Sequence, residues 1–163
     1  PQKYQACIPQ IPFLEKHIEE ELKNSIQEDA DSCFNSLKQT YSDRGYTTNL
    51  KKGDIAVELL PKRILTTMNY EFTFSKDENV QKRDAFRIVV NNNLYELVAI
   101  AQNILNEEIF MGDIDEQAYM EIFTWLKVEK KRPFTEDTTI YILTDRLTQD
   151  KFKFAIQSWN LRI

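Results

Sequence analysis

The stretch that decides the fold is Ile64–Ser75, with the sequence ILTTMNYEFTFS. The residues of one alternating set are apolar or threonine, and they are Ile64, Thr66, Met68, Tyr70, Phe72 and Phe74. The residues between them are mainly polar. A period of two predicts a β-strand with one apolar face directed into a core.

Shorter apolar runs flank this strand, and turn-forming residues separate them. The runs are Ile55–Leu60 and Phe86–Val90, and the turns are Lys52–Asp54 and Pro61-Lys62. The polar stretch Lys76–Arg83 is predicted to be a loop. Residues 47–90 are therefore predicted to form an antiparallel meander.

Before the meander the apolar residues recur every three or four positions, which predicts a long amphipathic helix over residues 12–42. They are Leu14, Ile18, Leu22, Ile26, Cys33, Leu37 and Tyr41. The acidic cluster Glu28–Asp31 is a candidate break between two helices, and Gly45 is a natural stop. Residues 1–11 are predicted to be a lead-in segment.

After the meander, the pattern predicts two helices and then a β-hairpin. Asn91–Asn93 precede the first helix, whose apolar face comprises Leu94, Leu97, Val98, Ala101, Ile104 and Leu105. The second helix follows Gly112, and the residues that we expect it to bury are Ala118, Tyr119, Ile122, Phe123 and Leu126. The hairpin strands are Thr138–Thr144 and Lys151–Trp159, joined by Asp145–Asp150.

Because strands and helices are segregated along the chain, the predicted fold class is α+β. The order is a long N-terminal helix, an antiparallel meander, two helices and a C-terminal β-hairpin that joins one antiparallel sheet. No long linker divides the chain, so a single domain over residues 1–163 is predicted.

Composition excludes several classes of function. The 163 residues are 42% hydrophobic and 29% charged, which is typical of a globular domain that can bury a core. The net charge of −5 argues against binding of nucleic acid or of an anionic membrane, because both need a concentrated basic face. With 3 glycines the chain has no Gly-rich phosphate loop, and no cofactor is expected. The densest basic run is predicted to be solvated, and it comprises Lys127, Lys130, Lys131 and Arg132.

Groups for catalysis or metal binding are few. His17 is the only histidine, and we expect it half-exposed on the first helix, paired with Glu20 or Glu21. Two cysteines and one histidine do not complete a structural zinc site. Asp113–Glu116 resembles the start of a calcium loop, but Ala118 stands where that loop needs glycine. These acids are instead expected at a helix N-terminus. No catalytic, cofactor-binding or metal-binding residue is predicted, and the protein is not expected to be an enzyme.

Cys7 and Cys33 are the only cysteines, and three interpretations of them remain open. They are two unpaired buried thiols, or one of them acts with His17 as a catalytic dyad, or they form a structural disulfide. The disulfide is favoured, because the sequence signals neither an oxyanion hole nor an orienting group for a dyad. It would close a loop of roughly 25 residues, worth about 3 kcal/mol of stability, and would indicate an oxidising compartment.

Several stretches spread along the chain carry a resemblance to a known family. They are Tyr4–Cys7, Leu14–Glu20, Cys33, Asn69–Lys76, Leu94–Ala101 and Phe154–Trp159. In these the chain resembles uncharacterised archaeal surface proteins from small-genome lineages, which have an N-terminal membrane-anchoring helix followed by an extracytoplasmic α+β domain. The resemblance implies an anchor before Pro1, an exterior location and a Cys7–Cys33 disulfide, and it implies no activity. This chain is shorter than the family pattern between Cys7 and the first helix.

The leading hypothesis is a non-enzymatic extracytoplasmic domain of a membrane-anchored surface protein, which binds a protein partner or self-assembles at the cell surface. A pilin-like subunit is a special case. The chain starts at Pro1 without an initiator methionine, so we expect it to contact a membrane only through a missing N-terminal anchor. The alternative is a cytoplasmic accessory or small-molecule-binding domain with reduced cysteines. A third hypothesis is a hydrolase that uses carboxylates, since 26 acidic residues allow many pairs.

Overall fold

The computed structural model describes residue 11, residues 13–133 and residues 138–157. Within these residues the chain forms three helices and nine strands. The helices are α1 (Leu14–Asp43), α2 (Leu94–Met111) and α3 (Glu116–Ile122). The strands are β1 (Thr47–Lys51), β2 (Ile55–Leu60), β3 (Arg63–Met68), β4 (Glu71–Lys76), β5 (Asn79–Arg83), β6 (Phe86–Asn91), β7 (Leu126–Lys131), β8 (Thr138–Asp145) and β9 (Lys151–Gln157).

The fold class is α+β, as the sequence predicts, with its long helix, meander, two helices and C-terminal hairpin in the predicted order. Every strand pair in the described residues is antiparallel. These strands form three sheets rather than one, with the orders β1-β4-β5, β2-β3-β6 and β7-β8-β9. The C-terminal hairpin therefore pairs with β7, a strand that the sequence did not predict.

The chain divides into two compact units. The first comprises residues 16–91, with most of α1 and strands β1–β6, and we call it the meander unit. The second comprises the described residues before Lys16 and after Asn91, with α2, α3 and β7–β9, and we call it the hairpin unit. The prediction of a single domain over residues 1–163 stays a prediction, and residues 1–10 of the predicted lead-in lie outside the described residues.

The six strands of the meander unit are three long strands, each interrupted near its middle. β1 continues into β2, β3 into β4 and β5 into β6. Three residues of the first long strand, 52–54, stand opposite two of the second, 69–70, so the register shifts by one residue there. A second shift of one residue separates the β3–β6 ladder from the β4–β5 ladder. An extra residue on one strand is a β-bulge, which bends a sheet and increases its twist.

Gly53 occupies the first bulge because the second long strand passes too close for any side chain. A Cβ atom at Gly53 would lie 2.0 Å from the carbonyl oxygen of Asn69. The Asn69 N–H donates across the bulge to the Asp54 carbonyl oxygen at 2.9 Å. The turn that the sequence predicts at Lys52–Asp54 is therefore a bulge, and the chain does not reverse direction there.

Helix α1 packs against the inner face of this bent meander. Phe34 of α1 contacts Tyr70, which is fully buried in the interruption of the second long strand, with ring centroids 4.7 Å apart. The other buried residues of this core are Ile55, Val57 and Met68, with Leu22, Ile26, Ala30, Leu37, Leu50, Ile64 and Phe86 packed around them. The helix is continuous through Glu28–Asp31, because its apolar residues before and after that cluster join the same core.

The helix ends where the sequence predicts. Gly45 has the left-handed φ of 80°. Its N–H donates to the Ser42 carbonyl oxygen, and the Tyr46 N–H donates to the Tyr41 carbonyl oxygen. This pair of hydrogen bonds is a Schellman motif, which satisfies the last carbonyls of the helix and turns the chain into β1.

The predicted loop Lys76–Arg83 is wrong, because Asn79–Arg83 is strand β5, joined to β4 by a two-residue turn. All five residues of β5 are exposed. Backbone hydrogen bonds to β4, rather than burial, hold this strand at the edge of its sheet. Because none of its residues is buried, β5 has no alternation of buried and exposed residues that would predict a strand.

In the hairpin unit, α2 packs on β8 and β9, and α3 packs on β7. The buried residues of α2 include the predicted Leu97, Val98, Ala101 and Ile104. The second helix is shorter than predicted. It buries Tyr119 but leaves Ala118 and Ile122 exposed and Phe123 half-buried, and Leu126 begins the unpredicted strand β7. The predicted hairpin is confirmed as β8 and β9, and residues 158–159 of its predicted second strand lie outside the described residues.

We predict that Gly53→Ala lowers the free energy of unfolding by about 3 kcal/mol, because its Cβ must displace the backbone of the neighbouring strand. The matched control is Gly45→Ala, where a Cβ meets nothing within 4 Å. That control carries only the cost of a left-handed φ, about 1 kcal/mol. Urea unfolding followed by circular dichroism measures both variants, and equal losses would contradict the close approach.

Candidate functional site

A buried ionic cluster ties three elements of the hairpin unit together. Lys130 Nζ of β7 lies 3.2 Å from Glu108 Oε1 of α2, and it also contacts Asp113 Oδ1. The Tyr141 hydroxyl of β8 donates to the same Glu108 oxygen. The side chains of Lys130 and Glu108 are each only 9% exposed. The prediction that the basic run is solvated is therefore wrong for Lys130, although Lys127 and Arg132 are exposed.

The interactions of this cluster link elements of the fold to one another. Burial, followed by the hydrogen bond to Glu108, raises the pKa of the Tyr141 hydroxyl, so Tyr141 stays protonated and donates. The hydrogen bond from Lys130 lowers the pKa of Asp113, which also pairs with Arg132 at 3.2 Å. Removal of one charge from a buried pair leaves the other uncompensated, which is costly. Each charged or polar group of the cluster therefore already forms an ion pair or a hydrogen bond with another residue of this protein.

A second polar cluster closes the turn between β8 and β9. Asp145 is fully buried and accepts hydrogen bonds from the side-chain amide of Asn93 and from the backbone N–H groups of Leu147 and Thr148. Burial alone would raise its pKa, but these three hydrogen bonds together outweigh burial and lower it. Because Asn93 directly precedes α2, Asp145 fixes the start of that helix to the hairpin.

A third cluster fastens α1 to the bulge of the meander unit. The Tyr70 hydroxyl donates to Asp31 Oδ1 at 2.5 Å, and Gln27 Nε2 donates to the Tyr70 hydroxyl at 3.0 Å. Lys52 Nζ lies 2.9 Å from Asp31 Oδ2. The hydrogen bond from Tyr70, followed by that from Lys52, lowers the pKa of Asp31. One carboxylate of α1 thus binds both strands that border the bulge.

Among the described residues, the candidates for catalysis or metal binding do not form a common site. His17 is exposed on α1, and in the described structure neither Glu20 nor Glu21 forms an ion pair with it. No group of three or more His, Cys, Asp or Glu residues in the described part of the chain is placed to hold a metal ion. Asp115 caps α3 by accepting from the N–H groups of Gln117 and Ala118, which confirms the predicted helix N-terminus.

Cys33 lies exposed on α1 and has no disulfide partner among the described residues. Cys7 lies outside the described residues, so the Cys7–Cys33 disulfide stays a prediction. The exposure of Cys33 removes one of the three interpretations for this residue, that of a buried thiol.

An open groove of about 450 Å³ lies beside strand β5 in the meander unit. We call it the aromatic groove. It is lined by Leu37, Tyr41, Arg44, Tyr46, Phe72, Phe74, Gln81, Arg83 and Phe86. The strand β4 supplies Phe72 and Phe74, the last turns of α1 and its cap supply the tyrosines, and β5 supplies Gln81 and Arg83 on the far side.

Ring contacts fix the shape of the groove before any ligand binds. Tyr41 contacts Phe74 at 4.7 Å, Tyr46 at 5.5 Å and Phe72 at 5.7 Å between ring centroids. Edge and tilted contacts of this kind stabilise aromatic pairs beyond the area that they bury. The Schellman motif at Gly45 positions Tyr46 for these contacts, so the end of α1 shapes one wall.

The charge of the groove is opposite to that of the whole chain. Arg44 and Arg83 line it, and within the described residues neither guanidinium has an ion-pair partner. Lys76 Nζ lies 5.2 Å from the centroid of the Tyr46 ring. Guanidinium groups beside aromatic rings can hold an apolar group and a carboxylate or phosphate at the same time.

The sequence pattern did not predict this groove. The alternation in Ile64–Ser75 predicted Phe72 and Phe74 on the apolar face but assigned them to the core. No pattern along the chain could find a groove whose residues come from separate elements.

Within the described residues no helix is both long and apolar enough to span a membrane. Comparison with known proteins finds no match of any kind: no family model, no curated protein and no solved structure matches this chain.

Proposed function

We propose that this protein is a non-enzymatic domain of a membrane-anchored surface protein, which binds an extended, acidic segment of a protein partner in the aromatic groove. The observation that carries this proposal is a pair of arginines, Arg44 and Arg83, which lie beside an aromatic floor and have no ion-pair partner among the described residues. An aromatic or aliphatic side chain of the partner would pack on Phe72 and Phe74, and a neighbouring carboxylate would bind the guanidinium groups.

The position of β5 favours an extended segment. Among the described strands, β5 is an edge strand that pairs only with β4. The two-residue turn at 77–78 makes Lys76 and Asn79 a hydrogen-bonded pair, so the backbone groups of Val80 and Lys82 face the open edge. A strand added there would place every second side chain on the groove side, next to Gln81 and Arg83.

The polar clusters support a non-enzymatic role. In each of them the carboxylates serve as ties between elements: Glu108 and Asp113 in one, Asp145 in the second and Asp31 in the third. None of these clusters lines the aromatic groove. A hydrolase would instead need two carboxylates in one concave site.

A second candidate function is that of a cytoplasmic accessory or small-molecule-binding domain with reduced cysteines. The volume of the groove favours it, since small-molecule sites occupy about 300–1,000 Å³. Such sites bury most of the ligand surface, however, whereas Arg44, Gln81 and Arg83 at the walls of this groove are exposed. The open side therefore favours a segment that continues beyond the groove.

Thiol titration distinguishes the exterior location from the cytoplasmic one. Protein produced in an oxidising compartment and unfolded without reductant is expected to contain no free thiol, because Cys7 and Cys33 are paired. The variants Cys7→Ser, Cys33→Ser and the double variant should each lose the same free energy of unfolding, about 3 kcal/mol. The reduced protein, with two thiols, is the control. Two free thiols in the unreduced protein would contradict the exterior location.

Peptide binding tests the groove. Fluorescence anisotropy would measure labelled octapeptides that alternate Phe and Glu, and matched peptides that alternate Phe and Lys. The acidic peptides should bind and the basic ones should not. Arg83→Glu should weaken binding at least tenfold, because a charge-assisted hydrogen bond contributes about 1.5–3 kcal/mol.

The control for this experiment is Val80→Glu, which introduces the same carboxylate on the opposite face of the same strand and should change affinity less than twofold. Equal binding by the wild type and Arg83→Glu would rule out the groove as the binding site. If N-acetylphenylalanine binds as tightly as the acidic octapeptide, the small-molecule function is the correct one.

A further inference from the structure

We propose that two copies of this chain associate by antiparallel pairing of their β6 strands, centred on Val89. Strand β6 is the edge of the sheet β2-β3-β6 and pairs only with β3 in the described structure. Three consecutive aliphatic side chains on it are half-exposed: Ile88 at 50%, Val89 at 57% and Val90 at 51%. A hydrophobic edge strand is a template for pairing with another chain, and proteins usually guard such edges with charge.

The backbone of β6 has its free groups in the right places for this pairing. Leu60 and Arg63 flank a two-residue turn and form a hydrogen-bonded pair, so Ile64 directs its backbone groups to β6. In the unbroken β3–β6 ladder Val90 pairs with Ile64. The N–H and C=O groups of Val90, Ile88 and Phe86 therefore face β3, and those of the residues that alternate with them face the open edge. The outward-facing residues are Arg87, Val89 and Asn91.

The outward-facing residues are complementary to a second copy of themselves. With the two-fold axis at Val89, this residue meets its own copy, and Arg87 of each strand meets Asn91 of the other. Ile88 then lies opposite Val90 twice. Aliphatic side chains thus pair with aliphatic side chains at all three positions, which stabilises cross-strand contacts, and no like charges stand directly opposite.

Charge distinguishes β6 from the rest of the same edge. Strand β5, which precedes it, carries Lys82 and Arg83 and a single exposed aliphatic residue, Val80. Basic residues guard that half of the edge against self-pairing. The uncharged stretch of this edge is limited to residues 88–91, so a two-fold contact closes after one partner and leaves β5 open.

The contact is small, which determines how it can be observed. A pair of five-residue segments lies at the low end of interface sizes, so the dimer should be weak and depend on concentration. Sedimentation velocity on the wild-type chain from micromolar to several hundred micromolar concentration should show a reversible monomer–dimer equilibrium.

The test uses matched charge variants. Val89→Lys should sediment as a monomer throughout this range. Val80→Lys, which introduces the same charge at an exposed aliphatic position of the same long strand, should dimerise like the wild type. Circular dichroism checks that both variants are folded. A wild type that stays monomeric, or equal loss of the dimer in both variants, would overturn the proposal.

Crosslinking tests the register on a background with Cys7→Ser and Cys33→Ser. Val89→Cys copies should form a disulfide-linked dimer under mild oxidation, because residues in a hydrogen-bonded antiparallel pair have Cα atoms about 5.5 Å apart. Arg87→Cys copies should not, since position 87 lies opposite 91 of the second copy. Equal crosslinking of the two variants would contradict the register centred on Val89.

Discussion

The close approach of Gly53 to the backbone of Asn69 is the constraint on which the meander unit depends. Each long strand runs past this point, and the extra residue between β1 and β2 lets the ladder continue after a one-residue shift. A Cβ atom at residue 53 would clash with the Asn69 carbonyl oxygen, from which it would lie 2.0 Å away. Glycine is therefore required by space here, and not by a left-handed backbone conformation.

The bulge also determines where α1 lies. Tyr70 sits in the interruption of the second long strand, where it packs against Phe34 and donates to Asp31, while Lys52 reaches the same carboxylate from the first long strand. The helix is thereby fixed over the bend. Towards its C-terminal end, Leu37 and Tyr41 form one wall of the aromatic groove, and β5 forms the other. The groove and the open edge are two consequences of the same bent meander.

The sequence predicted the elements that have a periodic apolar pattern. It missed the features that depend on contacts between residues distant along the chain. The period-two pattern found the apolar face that includes Met68, Tyr70 and Phe72, and the longer period found α1 nearly to its ends. The edge strand β5 was missed because backbone pairing rather than burial holds it, and the strand β7 was missed because only two of its residues are buried. The groove was missed for a related reason, since α1, β4 and β5 meet only in the folded chain.

Amide hydrogen exchange at Asn69 is the most direct test that the six strands form three bent ones across a bulge. Its N–H donates to the Asp54 carbonyl oxygen between the two ladders. If the ladder is continuous, this amide should exchange as slowly as the hydrogen-bonded amides of β3. If β3 and β4 are protected but Asn69 exchanges at the rate of an unstructured chain, the ladder is broken at the bulge, and this account of the meander unit is wrong.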